Sequence, residues 1–140
     1  MSALLSALAG ACVWAGGMVP FNAARFAALQ AEDRTAVLYF FSANCGVCPQ
    51  QEEALKRIAA EPGPLTPTVF QITFVPADEV CRRYEVTAPS TLIIFRGKSV
   101  IGRSAGLFTE DEIRQFIEGA RFRSRARPKP RPKRTYRPKR

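Results

Sequence analysis

Two cysteines, Cys45 and Cys48, stand with two residues between them in the run Ser42-Ala-Asn-Cys-Gly-Val-Cys48, between an apolar stretch ending at Phe41 and a helix-forming stretch opening at Pro49. A thiol at the entry to a helix meets unpaired backbone N–H groups and the positive end of the helix dipole, and both favour the thiolate. The thiolate is the form that attacks a disulfide sulfur. The spacing separates two roles. Cys45, nearer the helix tip and the solvent, is the expected nucleophile; Cys48, one turn further in, can close a ring with Cys45 and release whatever Cys45 has bound. The chain contains no histidine, which removes His-based catalysis, His-containing zinc fingers and histidine haem ligation. Two plainer readings stand beside the redox one. The pair can be half of a thiolate zinc site, for which Cys12 and Cys81 are the remaining cysteines, or two core residues that happen to fall three apart.

The elements that must position the pair can be read from hydrophobic periodicity. Asn22 can cap a helix with Phe26 and Leu29 on one face, ending near Glu32-Asp33. Ala36 to Phe41 is a continuous apolar run, short enough for a strand covered on both faces. The helix after the cysteines has Pro49 in its first turn, Leu55 and Ile58 three apart, and stops at Glu61-Pro62-Gly63-Pro64. Thr68 to Val75 reads as a second strand and Asp78 to Tyr84 as a short helical segment. Thr91–Phe95 and Ser99–Arg103, joined by a turn at Arg96-Gly97-Lys98, read as a hairpin. Thr109 and Glu112 form a capping box that opens a last helix, with Ile113, Phe116 and Ile117 in one stripe. This order implies an α/β sandwich, a central mixed sheet with helices on both faces. Tyr39, Phe40, Phe41, Phe70, Phe74, Phe95 and Phe116 have core spacing, and Cys81 is expected to be a buried or half-buried helix residue, with a regulatory thiol as the alternative.

At 140 residues with 46% hydrophobic content the chain has room for one domain with a closed core. Its net charge of +9 is not evenly spread. Residues 121–140 carry eleven Lys and Arg and no acid, leaving ten basic against twelve acidic residues in 1–120. The expected organisation is therefore 1–18 as a signal peptide or membrane anchor, 19–120 as the folded domain, and 121–140 as a basic, Pro-rich disordered tail. The leader is uncharged and apolar through Phe21, with small residues at Ala9-Gly-Ala and Ala15-Gly16-Gly17, but has no basic n-region. It implies a periplasmic or membrane-tethered protein, with a cytoplasmic one as the alternative. The tail offers a weak, salt-dependent contact to a polyanion or an anionic membrane. A binding module tethered by that tail, its cysteines structural, is the rival to an enzyme.

Strand-Cys-Gly-x-Cys-helix, followed by Tyr84-Glu-Val-Thr-Ala-Pro-Ser-Thr-Leu-Ile-Ile-Phe95, then Gly97-Lys98, Gly106 and a final amphipathic helix, resembles the thioredoxin superfamily from about Pro20 to Ala120. The lead-in Pro20 to Gln30 is most like that of exported bacterial thioredoxin-like proteins. The resemblance implies a three-layer thioredoxin-like sandwich and a monomeric thiol:disulfide oxidoreductase without cofactors. Cys45 and Cys48 would be catalytic, Asn44, Gly46, Val47, Pro89 and Ser90 would meet substrate, and the partners would be protein disulfides or dithiols and a separate redox partner. The sequence also departs from the family pattern. Asn44 replaces the tryptophan before the first cysteine, Val47 replaces a proline, and Tyr39 occupies the place of a buried acid. Tyr39 is read as a packed strand residue rather than a catalytic one. The substrate-facing proline loop has two registers: a cis Ala88-Pro89 bond in a shortened loop, or Ser90 in the proline's place with a trans bond. The plain alternative is a proline turn before a strand.

Overall fold

The computed structural model describes residues 17–126. Nine elements follow one another: β1 (Gly17–Pro20), α1 (Ala23–Ala31), β2 (Thr35–Phe41), α2 (Cys48–Ala60), β3 (Thr68–Thr73), α3 (Glu79–Arg83), β4 (Thr91–Arg96), β5 (Ser99–Ala105) and α4 (Glu110–Ala126). The strands form one sheet in the order β1-β3-β2-β4-β5. β1, β3 and β2 run parallel, while β4 is antiparallel to β2 and β5 to β4. β2 is the central strand, and Ala36 to Phe40 are all buried, as an apolar run covered on both faces requires.

Side chains alternate across the sheet and build two cores. Val37, Tyr39, Val69, Leu92 and Ile94 pack with Leu55 and Ile58 of α2 and Ile113 and Ile117 of α4. Leu38, Phe40, Phe70, Ile93 and Phe95 pack on the other face with Phe26 and Leu29 of α1 and Cys81 of α3. The result is the expected three-layer α/β sandwich. Aromatic edges tighten the second core: the Phe26 ring meets Phe70, Phe95 and Tyr84 at near-perpendicular angles. Cys81 is a buried free thiol in this layer. The sheet thus separates it from α2, so it is not a third ligand beside Cys45 and Cys48.

The helix termini follow their sequence signals. Asn22 Oδ1 accepts from the Arg25 backbone N–H at 2.8 Å. Thr109 and Glu112 exchange side-chain to backbone bonds of 3.3 and 3.2 Å, the reciprocal box expected from their spacing.

Both ends of the domain differ from expectation. Gly17 and Met18, counted with the leader, belong to β1 and pair with Thr68 and Val69 of β3. Pro20 is tolerated because β1 is an edge strand, where a missing N–H removes no ladder bond on the open side. At the other end α4 runs to Ala126, so residues 121–126, counted with the tail, are helical. Its first turn carries Glu110, Asp111 and Glu112 and its last Arg123 and Arg125, the arrangement that complements the helix dipole. The remaining leader, including Cys12, and residues 127–140 lie outside the described residues. No helix of the described residues is long and apolar enough to cross a membrane.

An ion-pair network joins α2 to α4. Arg114 donates to Glu61 at 2.6 and 3.0 Å and to Glu110 at 2.8 Å. The hydrogen bonds from Arg114 hold both carboxyls below the usual carboxylate range, and Arg57 adds to the effect on Glu110. A folded-state pKa below the unfolded one means that the unfolded chain binds more protons as acid is added, so this contribution is present above the unfolded value and lost as pH falls. The urea midpoint is expected to hold steady down to about pH 4.5, the ordinary value, and to decline below it. Arg114→Gln should make that decline shallower; an unchanged profile in the variant would show that the network is not its source.

Candidate redox site

The site lies where β2 ends and α2 begins. After Phe41 the chain turns: the Asn44 N–H donates to Ser42 Oγ at 3.3 Å and the Cys45 N–H to the Ser42 carbonyl at 3.2 Å. Val47 is the N-cap of α2, and Pro49 sits in the first turn, where its missing N–H would have had no helical partner. Cys48 is thus the first helical residue and Cys45 lies outside the helix, ahead of its tip.

Cys45 and Cys48 are joined in a disulfide with their Cα atoms 5.4 Å apart, inside the usual range for a bridge. Their surroundings differ. Cys45 is half-buried and flanked by exposed Asn44 and Gly46, whereas Cys48 is buried, with 4% of its surface exposed. Cys45 is thus the solvent-facing member of the pair and Cys48 the inner one. Val47 is half-buried beside them.

Tyr39 lies beneath the site with no exposed surface, and its hydroxyl donates to the Cys48 carbonyl oxygen at 3.0 Å. Its ring stacks on Phe41 with centroids 5.8 Å apart. Burial, reinforced by the negative charge of Glu52, pushes the phenol well above its ordinary pKa. Tyr39 therefore stays neutral at physiological pH and holds the backbone, not the sulfur, of Cys48.

The loop before β4 does not carry the cis Ala88-Pro89 bond of the first register. Every peptide bond of the described residues is trans, and Ser90, directly ahead of β4, has φ 58°. Pro89 is half-buried, while Ser90 is buried with its Oγ accepting from the Gly106 N–H at 2.9 Å. The Ser90 hydroxyl is thus occupied inside the protein, and its carbonyl also accepts from the Gly106 N–H at 3.3 Å.

Gln51 was not among the residues singled out from sequence. It has no exposed surface, and its Nε2 donates to the Ser90 carbonyl at 3.2 Å and to the Leu107 carbonyl at 2.5 Å. One side chain, a single turn after Cys48, therefore ties α2 both to the Ser90 loop and to the segment ahead of α4. Its Oε1 has no partner among the described residues, so an unsatisfied acceptor partly offsets the two bonds. Gln51→Ala is expected to cost about 1–2 kcal/mol of stability by urea denaturation and to lower turnover by loosening Ser90. A stability loss with wild-type turnover would separate the two roles.

The thioredoxin family model matches residues 18–119. The chain belongs to the thioredoxin family. Solved structures agree on the thioredoxin fold. Trxlp of Edwardsiella tarda EIB202 is 26% identical and superposes with a TM-score of 0.65, covering 72% of this chain and 98% of that one. A mutant thioredoxin of Halobacterium salinarum NRC-1 is 18% identical with a TM-score of 0.62, covering 76% and 92%. The thioredoxin of Malassezia sympodialis is 16% identical with a TM-score of 0.60, covering 74% and 90%. No curated protein sequence matches significantly. A thioredoxin domain carrying a cysteine pair that forms a disulfide is equipped, in general terms, for thiol–disulfide redox chemistry.

Proposed function

We propose that this thioredoxin domain exchanges disulfides with protein substrates through Cys45-Gly46-Val47-Cys48. The observation that carries the reading is the asymmetry of the pair: a half-exposed Cys45 ahead of the helix tip and a buried Cys48 behind it.

In the reducing direction the Cys45 thiolate attacks one sulfur of a substrate disulfide. The substrate S–S bond breaks, a bond from Cys45 to that sulfur forms, and the other substrate sulfur leaves as a thiolate that takes a proton from water. Cys48, as thiolate, then attacks the Cys45 sulfur. The mixed disulfide breaks, the Cys45–Cys48 bond forms, and the second substrate thiol departs. Two electrons pass from the pair to the substrate, and a dithiol partner returns them. The reverse sequence makes a disulfide in the substrate.

A protein rather than a small substrate is supported by the surface beside the pair. A shallow hollow lies between the start of α2 and the start of α4, with Pro49, Ala54 and Phe108 as apolar lining and Glu53, Arg57 and Glu110 around it. Asn44, Gly46, Val47 and Pro89 complete the approach to Cys45. On this reading the protein acts as a monomer in an oxidising compartment, the periplasm, and the support for that location is the uncharged apolar leader. With dithiothreitol as donor, purified protein should speed the reduction of an accessible interchain protein disulfide. No acceleration over dithiothreitol alone overturns the proposal.

A further inference from the structure

Arginines gather at the end of the domain opposite the disulfide. β2 enters the sheet at Thr35 and delivers the cysteine turn after Phe41. Beside its entry, Arg34, Arg96 of β4, and Arg121 and Arg125 of α4 line a cavity of about 160 Å³, together with Asp33 and Thr66. Drug-sized ligands occupy roughly 300 Å³ or more, so the space suits a compact group. Asp33 is the one carboxylate in the lining, and it accepts from Arg96 Nε at 3.3 Å. Burial holds the half-buried Arg121 below the ordinary arginine range. Repulsion from Arg125 and Arg96 adds to this, and Glu118 opposes it. Arg121 thus sits, partly desolvated, close enough to Arg125 and Arg96 to be repelled by both.

Such a cluster is relieved by an anion that accepts from several guanidinium forks at once, and phosphate oxygens match that geometry. An apolar groove adjoins the cavity across Leu65, Arg121 and Arg125, lined by Ile117 and by Phe122, which is 75% exposed. From residue 127 the sequence adds eight more Lys and Arg and no acid. We propose that the cavity between Arg34, Arg96, Arg121 and Arg125 binds a phosphate group, carried either by a free phosphorylated compound or by an anionic lipid headgroup.

The test uses the full chain with pyrophosphate as probe, by titration calorimetry at low salt, and vesicles of phosphatidylcholine with and without phosphatidylglycerol. Saturable pyrophosphate binding is expected. Arg121→Gln combined with Arg125→Gln should weaken it at least about tenfold. Arg134→Gln combined with Arg137→Gln removes the same charge from the tail and should change it far less. Arg96→Lys, which keeps the charge and can still pair with Asp33, should also weaken binding by losing the fork. Wild-type melting curves and disulfide-reduction rates in the variants would show that the fold is intact, so failure here leaves the redox reading standing. Absence of saturable binding, or equal weakening by the cavity and tail variants, overturns the proposal. If the cavity variant also loses phosphatidylglycerol-dependent vesicle binding and pyrophosphate competes with the vesicles, the phosphate is a lipid headgroup. If vesicle binding is the same in all proteins while pyrophosphate binding differs, it belongs to a free compound.

Discussion

Cys45→Ser is expected to reduce disulfide-exchange activity at least about a thousandfold, to the uncatalysed background, because a hydroxyl at that position has no accessible anion to act as nucleophile. Cys48→Ser should behave differently. Cys45 can still attack, but nothing behind it displaces the substrate, so the Cys45–substrate mixed disulfide persists. It should appear as a new band on non-reducing gels that collapses on adding thiol, with an intact mass equal to the sum of the two proteins. The expected contrast follows from burial: the reachable sulfur would form the adduct and the enclosed one, with 4% of its surface exposed, would resolve it. Full activity in Cys45→Ser would defeat the assignment. Trapping by Cys45→Ser in place of Cys48→Ser would reverse the two roles.

Ser90→Pro should be the most damaging single substitution outside the pair, even though proline is what the family resemblance leads one to expect in that loop. Proline fixes φ near −65°, and Ser90 has φ 58°. Accepting proline would swing the chain away from Gln51 and Gly106, which bond the Ser90 carbonyl and hydroxyl. A loss of about 3 kcal/mol or more is expected, read from the urea midpoint. Ser90→Gly isolates the backbone from the side chain. Glycine gains about 1 kcal/mol by accepting positive φ freely, and the lost Oγ bond costs about the same. Stability close to wild type in Ser90→Gly, beside a large loss in Ser90→Pro, would confirm that the torsion decides the outcome. A proline variant as stable as the wild type would show that the loop has a second accessible conformation.

What could be read from the residues was whatever is encoded locally. The five-residue buried centre of β2, the hairpin strands, the Asn22 cap and the Thr109–Glu112 box each depend on neighbours within a few positions, and each is where the pattern placed it. The cysteine pair was legible for the same reason. β1 was not, because four residues inside a long uncharged run carry no period of their own, and their pairing partners lie some fifty positions downstream in β3. Gln51 was equally hidden. A glutamine in an amphipathic helix looks solvated, and only the fold brings Ser90 and Leu107, 39 and 56 residues away, to its amide. The helical start of the tail was obscured by composition. Arginines that read as disorder in a window of residues 121–140 are favourable at the C-terminus of an existing helix.

The arginine cavity and the disulfide occupy the two ends of β2, whose seven residues span about 23 Å at roughly 3.3 Å each. Over that distance two unit charges interact by under about 1 kcal/mol at the effective dielectric of a protein, so charge arriving at one end is felt only weakly at the other. The central strand therefore acts as an insulating spacer. Neutralising the arginine end should leave the reduction potential of Cys45–Cys48 where it was, so the two proposed activities would not interfere with each other.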